Sequence, residues 1–113
     1  MNINELEKLT LKWSNDRGII ENGNISTQTL KLVSEIGELC DNIAKNNFEK
    51  AKDDIGDSLV VLTNIAKMIG SDLSECWLVA YNDIKDRKGF LNKDGIFVKE
   101  DDKHYKKLKN ENK

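Results

Sequence analysis

Two four-residue segments of the sequence, EIGE at Glu35–Glu38 and DIGD at Asp54–Asp57, carry nearly the same pattern of acids. Each segment places two carboxylates three residues apart, so on a helix they lie on neighbouring turns of one face, where their like charges repel each other. A divalent cation bound by them would relieve that repulsion. Carboxylate oxygens suit Mg²⁺, Mn²⁺ or Ca²⁺. The residues predicted to bind the metal are Glu35, Glu38, Asp54 and Asp57.

The segment between the two motifs indicates how they meet. Their midpoint is Asn46, in the polar stretch 45–47, and apolar residues recur at helical spacing on both sides. An antiparallel helical hairpin with its turn there would bring both acid pairs to one level. Gly37 and Gly56 are costly inside helices, which close backbone approach or room for a ligand would explain. The alternative is that both motifs are solvated faces of acidic helices, but the duplication and the matched level favour the metal site.

The composition limits the class of protein. A chain of 113 residues with 38% hydrophobic content suits one domain with a modest core. Its net charge of −2 argues against stable nucleic-acid binding. The apolar runs are too short for a membrane span and the N-terminus lacks the pattern of a secretory signal, so we expect a cytoplasmic protein. Cys40 and Cys76 lie on apolar stripes and are predicted to be reduced core residues.

Helical periodicity predicts an all-α fold with four helices. The first runs from about residue 3 and ends near Arg17, and residues 18–26 form a loop. Ser26 or Thr27 caps the second helix, which carries the first acid pair. The third spans about 47–69 and stops at Gly70. Its second half is apolar on nearly all sides, which predicts an interface with another subunit around Val60, Val61 and Met68.

The fourth helix is predicted to open with a capping box at Asp72 and Glu75 and to stop near residues 88–89. A short turn or hairpin is expected within 90–98. These elements place a helical domain at 1–98, followed by a charged, flexible tail at 99–113. The tail contains His104, the single histidine of the sequence. Any catalysis is therefore expected to depend on carboxylates.

The acid motifs in their helical setting resemble the MazG-like family of all-α nucleoside triphosphate pyrophosphohydrolases. The resemblance rests on residues 32–39 and 54–62, with 15 residues between the two motifs, and extends in weaker form from about Trp13 to Glu100, including 81–89. Asp54 stands where the family commonly has glutamate. The family implies a four-helix MazG-like bundle with a central antiparallel helical hairpin, assembled as a homodimer or homotetramer.

The resemblance implies a metal-dependent enzyme that cleaves an NTP or dNTP between the α and β phosphates, giving a monophosphate and pyrophosphate. Mg²⁺ is the expected cofactor, with Mn²⁺ as the alternative. Glu38 is the first choice for the general base and Glu35 the second, although four similar acids are not separated by sequence. One alternative is a phosphoribosyl-ATP pyrophosphohydrolase. The other is a non-catalytic helical module that binds a nucleotide or a protein.

Substrate binding requires cations and a surface for the base. Trp13 is a candidate to stack on a nucleobase, although tryptophans at such positions are more often core residues. Asn82 is a candidate for phosphate or base, and equally for an ordinary helix surface. The candidate cations, each of which is as plausible as a solvated surface residue, are Lys31, Lys85, Arg87 and Lys88.

Overall fold

The computed structural model describes residues 1–102 and 104–111. Its elements are α1 (Ile3–Asp16), α2 (Ile19–Asn22), α3 (Ile25–Ala44), α4 (Phe48–Met68), α5 (Leu73–Ile84), β1 (Gly89–Leu91), β2 (Phe97–Lys99) and α6 (Tyr105–Glu111). The structure is mostly helical, at 71%, as expected for an all-α fold. The described residues form six helices, because the short α2 and α6 add to the four that periodicity predicts.

The chain divides into two compact units, Met1–Trp77 and Leu78–Lys113. The first contains α1 to α4 and the start of α5; the second contains the rest of α5, the two strands and α6. The domain at 1–98 and the flexible tail at 99–113 stay predictions, and residues 103, 112 and 113 of that tail lie outside the described residues. None of the helices in the described ranges combines the length and apolar character needed to span a membrane.

The predicted helical hairpin is present as α3 and α4, which form the main helix–helix packing of the first unit. Its turn lies at the predicted midpoint, where Asn46 adopts a left-handed conformation with φ of 57°. Asparagine tolerates this conformation better than most residues with a Cβ atom. Asn47 caps α4, its side chain accepting a hydrogen bond from the Lys50 amide at 3.4 Å. A polar, asparagine-rich turn therefore reverses the chain between the two acid motifs.

Two predictions about the segment before this hairpin were wrong. Residues 18–26 are not simply a loop, because the single-turn helix α2 forms between Gly18, whose φ is 72°, and Gly23. The N-cap of α3 is Asn24 rather than Ser26 or Thr27, and its side chain accepts a hydrogen bond from the Thr27 amide at 3.1 Å. Asparagine caps helices as well as serine does, so the helix begins two residues earlier than the serine predicts.

The end of α4 is as predicted, with Gly70 in a left-handed conformation, but α5 is shorter than expected. Asp72 caps α5 by accepting from the Glu75 amide at 2.7 Å, whereas the Glu75 carboxylate accepts from Ser71 Oγ at 2.6 Å instead of completing a capping box. α5 ends at Ile84 rather than near residue 88. Gly89 begins β1 instead of stopping the helix, and β1 pairs with β2 in the short hairpin expected within 90–98.

The burial of α4 corrects the predicted subunit interface. Val61 is only 2% exposed, so it packs within one chain and is not available to a second subunit. Val60 and Met68 are half-buried, and their place in an interface stays a prediction. Cys40 is exposed, against its predicted place in the core, and Cys76 is half-buried. The apolar side chains that stay exposed on the hairpin include Val33, Ile36, Ile43, Phe48, Ile55 and Leu59.

Candidate functional site

Three of the four predicted metal ligands converge across the hairpin. Glu35, Glu38 and Asp54 each offer a carboxylate oxygen, and these oxygens all lie within 4.8 Å of one another. Asp54 is buried, Glu35 is half-buried and Glu38 is exposed. The cluster is therefore buried at Asp54 on α4 and exposed to solvent at Glu38 on α3. A cation between these oxygens would be reachable from outside the chain.

Asp54 is held in place by a residue that the sequence analysis missed. Its side chain is 5% exposed, and its Oδ2 accepts a hydrogen bond from Asn42 Nδ2 at 2.7 Å. Asn42 lies one turn after Glu38 on α3, so Glu35, Glu38 and Asn42 share one helix face. That spacing was the signal available in the sequence. The hydrogen bond fixes the position of the Asp54 carboxylate, whose side chain is one methylene shorter than the glutamate common at this position in the family that the sequence resembles.

Asp57 lies beside the cluster of three. It is half-buried and lines the same cavity as Glu35. The pKa of Glu35 is raised above its usual value, first because the carboxyl group is partly removed from water and then because Glu38 and Asp57 are negative. Lys31 acts in the opposite direction and lowers this pKa. Excess negative charge is thus concentrated around Glu35, as a cation site requires.

The two motif glycines do not serve a close approach within the described chain. A Cβ atom added at Gly37 or at Gly56 would meet no other atom within 4 Å. Of the two explanations offered by the sequence, backbone packing inside the chain is therefore wrong. The second explanation, room for a ligand next to each motif, agrees with the open space at both glycines.

An open cavity of about 480 Å³ adjoins the acids and is lined by α1, α2, α3 and α4. This volume falls in the range of small-molecule sites, roughly 300–1,000 Å³. Gln28, Lys31 and Glu35 follow one another along the α3 wall, spanning about 10 Å of helix axis. The other residues that line it are Leu6, Leu9, Thr10, Trp13, Ile19, Asp57, Val60, Val61 and Asn64.

Two of the predicted substrate-binding residues, Trp13 and Lys31, line this cavity. Trp13 is 48% exposed, so it is not the core residue that tryptophans at such positions usually are. The Arg17 guanidinium lies 4.2 Å from the centre of the Trp13 ring and donates a hydrogen bond to the Trp13 carbonyl at 3.0 Å. The indole is thereby braced on the cavity wall by a cation–π contact.

The remaining candidates belong to the second unit. Asn82 lies on α5 and is exposed, and Lys85, Arg87 and Lys88 follow the end of that helix. Arg87 donates to Asp83 at 2.8 Å, a surface ion pair with its own helix. The role of these four residues in substrate binding stays a prediction.

A helical hairpin with a carboxylate cluster beside a small-molecule cavity defines the class of site, and comparison with known proteins supplies the family. The family model for the MazG nucleotide pyrophosphohydrolase domain matches residues 24–88, more than half of the chain. The chain belongs to the MazG family. The match contains all four acids of the two motifs and Asn82, Lys85, Arg87 and Lys88, whereas Trp13 lies outside it.

The chain is also similar to a phage protein. It is 40% identical over 65 residues to the "Uncharacterized 18.2 kDa protein in rep-hol intergenic region" of Haemophilus phage HP1 (strain HP1c1). The alignment covers 58% of this chain and 40% of that protein, so the chain spans well under half the length of its relative. No solved structure matches the chain.

Proposed function

We propose that this protein is a divalent-metal-dependent nucleoside triphosphate pyrophosphohydrolase that converts an NTP or dNTP to the monophosphate and pyrophosphate. The observation that carries the proposal is the convergence of Glu35, Glu38 and Asp54 within 4.8 Å, in a chain of the MazG family. The adjoining cavity of about 480 Å³ is large enough for a nucleotide-sized ligand.

The donor set fits a hard divalent cation. A set of carboxylate oxygens suits Mg²⁺ and Mn²⁺, whereas softer metals prefer cysteine or histidine. Glu35, Glu38 and Asp54 would hold the ion, and Asp57 would complete the negative site. When bound, the metal would neutralise phosphate oxygens and lower the pKa of a water molecule.

The chain's own residues supply the proton transfer. Glu38 is exposed, so a nucleophilic water can reach its carboxylate, which agrees with its choice as general base. Glu35 is the second candidate, because its raised pKa makes it a stronger base than an ordinary glutamate in the absence of metal. We assign the role of general base to Glu38. Glu35 is assigned a catalytic role as a ligand that positions the metal ion.

Binding of the triphosphate is proposed first for residues that line the cavity. Lys31 lies one turn before Glu35 on α3 and lines the cavity, where its ammonium group can pair with phosphate. Trp13 offers an indole surface on which a base can stack. The further residues proposed to contact substrate are Asn82, Lys85, Arg87 and Lys88.

We also propose a cytoplasmic homodimer or homotetramer that binds free nucleotides and forms no stable complex with nucleic acid or membrane. The exposed apolar side chains of the hairpin, such as Val33, Ile36 and Leu59, support an assembly between copies of the chain. Light scattering of the purified protein tests it. A clean monomer at micromolar concentration would remove the oligomer from the proposal.

The decisive experiment is a hydrolysis panel of NTPs and dNTPs with Mg²⁺, with Mn²⁺ and with EDTA, run in ¹⁸O-labelled water. The proposal expects metal-dependent release of pyrophosphate and label in the monophosphate. Glu38→Gln should lose most of the turnover and keep its fold, while Asp53→Asn, an exposed acid on the same hairpin, should keep full activity. Label in orthophosphate would contradict the proposed bond cleavage, and turnover of phosphoribosyl-ATP alone would favour that enzyme. No turnover of any nucleotide would leave the non-catalytic binding module.

A further inference from the structure

A buried row of polar side chains leads from α1 through α4 to the cavity wall on α3. Ser14 is fully buried and Asn64 is 3% exposed. Ser14 Oγ donates to Asn64 Oδ1 at 2.6 Å, and Asn64 Nδ2 donates to Gln28 Oε1 at 3.2 Å. Buried polar groups destabilise a fold unless they are hydrogen-bonded, so the row is stable only when these contacts are made.

The order of these contacts fixes which atoms of the Gln28 amide are already paired. Because the Ser14 hydroxyl donates to Asn64 Oδ1, the amide group of Asn64 points toward Gln28. That contact occupies Gln28 Oε1 and does not involve Gln28 Nε2. Within the described residues no acceptor contacts Gln28 Nε2, although Gln28 lines the cavity. The cavity is therefore lined by a half-buried residue whose N–H donors take no acceptor from the described residues.

These donors lie at a fixed distance from the acids. Gln28 and Glu35 are both on the cavity-lining face of α3, about 10 Å apart along the helix axis. The wall between them is largely apolar, with Leu9, Val60 and Trp13 among its residues. A nucleotide with its phosphates at the acids would extend its base along this apolar wall toward Gln28. The edge of the base would then meet the donors.

We propose that Gln28 reads the base and selects oxo bases, such as uracil, thymine, guanine and hypoxanthine, over the amino bases cytosine and adenine. The proposal rests on the nucleotide function above and deepens it by naming the substrate class. A carbonyl oxygen accepts from Gln28 Nε2, whereas an amino group in its place sets donor against donor and leaves both unpaired. Asn64 and Ser14 act as positioning residues that hold the Gln28 amide in the donating orientation.

Base preference is measured by calorimetric titration of the full chain, in Mg²⁺, with monophosphates that differ at this group: UMP against CMP, and IMP against AMP. The oxo member of each pair should bind about tenfold more tightly or better, the effect of one satisfied against one unsatisfied buried hydrogen bond. Gln28→Glu replaces the donor by an acceptor of the same shape, so the preference should disappear or reverse. Thr29→Glu places the same charge on the neighbouring exposed residue of α3 and should leave the preference unchanged.

Ser14→Ala tests the positioning role, because it frees the Asn64 amide without adding bulk. The ratio of affinities within each pair should shrink at least threefold, a readout that a purely structural serine would not move. Equal binding of both members by the wild type, an unchanged preference in Gln28→Glu, or no binding of any monophosphate at millimolar concentration would overturn the proposal. A base preference without triphosphate turnover would support it while refuting the hydrolase function; turnover without a preference would do the reverse.

Discussion

Replacing Asp54 with asparagine separates the metal site from the fold. Asp54 is 5% exposed and accepts a hydrogen bond from Asn42 at 2.7 Å. An asparagine has nearly the same shape and offers a carbonyl oxygen to the same donor, so the contact with Asn42 survives. The negative charge does not. The variant therefore removes one ligand from the cluster that includes Glu35 and Glu38 and leaves the packing of the hairpin intact.

The expected size of the effect differs with and without metal. In EDTA, a charged hydrogen bond becomes a neutral one, which costs about 1 kcal/mol, and weaker repulsion within the cluster offsets part of that cost. We expect a change in melting temperature of no more than about 5 °C for a domain of this size. In Mg²⁺ at about 100 times the Kd, the wild type gains about 2.7 kcal/mol, or about 10 °C. Asp54→Asn should lose most of this gain.

The assay is a set of thermal melts followed by circular dichroism, each protein being measured in EDTA and in excess Mg²⁺. Asp53→Asn is the matched control, since it makes the same chemical change one residue earlier, at an exposed carboxylate outside the cluster. It should keep the full Mg²⁺-induced shift. If the wild type and Asp54→Asn respond equally to Mg²⁺, or if the wild type does not respond at all, the reasoning from convergence to metal binding is refuted.

Four further predictions concern charge, packing, assembly and capping. Because the pKa of Glu35 is raised, the native state binds the proton of this carboxyl group more tightly than the unfolded state does. In the absence of metal, the contribution of Glu35 to the free energy of unfolding therefore falls as the pH rises from 4.5, the ordinary glutamate pKa, through the raised value. Glu35→Gln should flatten that part of the pH–stability curve, and an unchanged slope in denaturant titrations would contradict it. Val61→Glu buries a charge at a 2% exposed position and should destabilise the chain by about 3 kcal/mol or more. Ile36→Glu, at an exposed apolar position, should instead leave the fold intact and dissociate the proposed oligomer in light scattering; an unchanged mass would move the interface elsewhere. Asn47→Ala removes the N-cap of α4 and should cost about 1 kcal/mol in urea denaturation, with no loss contradicting the capping role.

The hairpin was predictable because its signals are local. The duplicated acids, the helical spacing on either side and the polar stretch around Asn46 all lie within one continuous segment, and each agrees with the others. The convergence of Glu35, Glu38 and Asp54 follows directly from the reversal of the chain. Periodicity and level matching were sufficient to predict this convergence, whereas the fourth predicted ligand, Asp57, lies outside the group of three.

What was missed depended on contacts that periodicity does not record. α2 is a single turn, too short to show a helical repeat, and three polar residues close together offered competing caps for α3. Val61 lies in a stretch of α4 that is apolar on nearly all sides, so sequence could not say which side faced the chain's own core. Ser14 and Asn64 meet across 50 residues, and nothing local in either helix pairs them.

We expect the hairpin to fold before the contacts between α1 and α4 form. Asn42 and Asp54 are 12 positions apart in sequence, whereas Ser14 and Asn64 are 50 apart. Closing the loop between Ser14 and Asn64 costs about 1.3 kcal/mol more in chain entropy than closing the loop between Asn42 and Asp54. The carboxylate cluster is therefore expected to form earlier than the polar row at the far end of the cavity. A cation captured by the half-folded hairpin would stabilise the folding transition state as well as the native protein. Mg²⁺ should then accelerate folding itself, so the ion proposed for catalysis would also stabilise the folding nucleus of the chain.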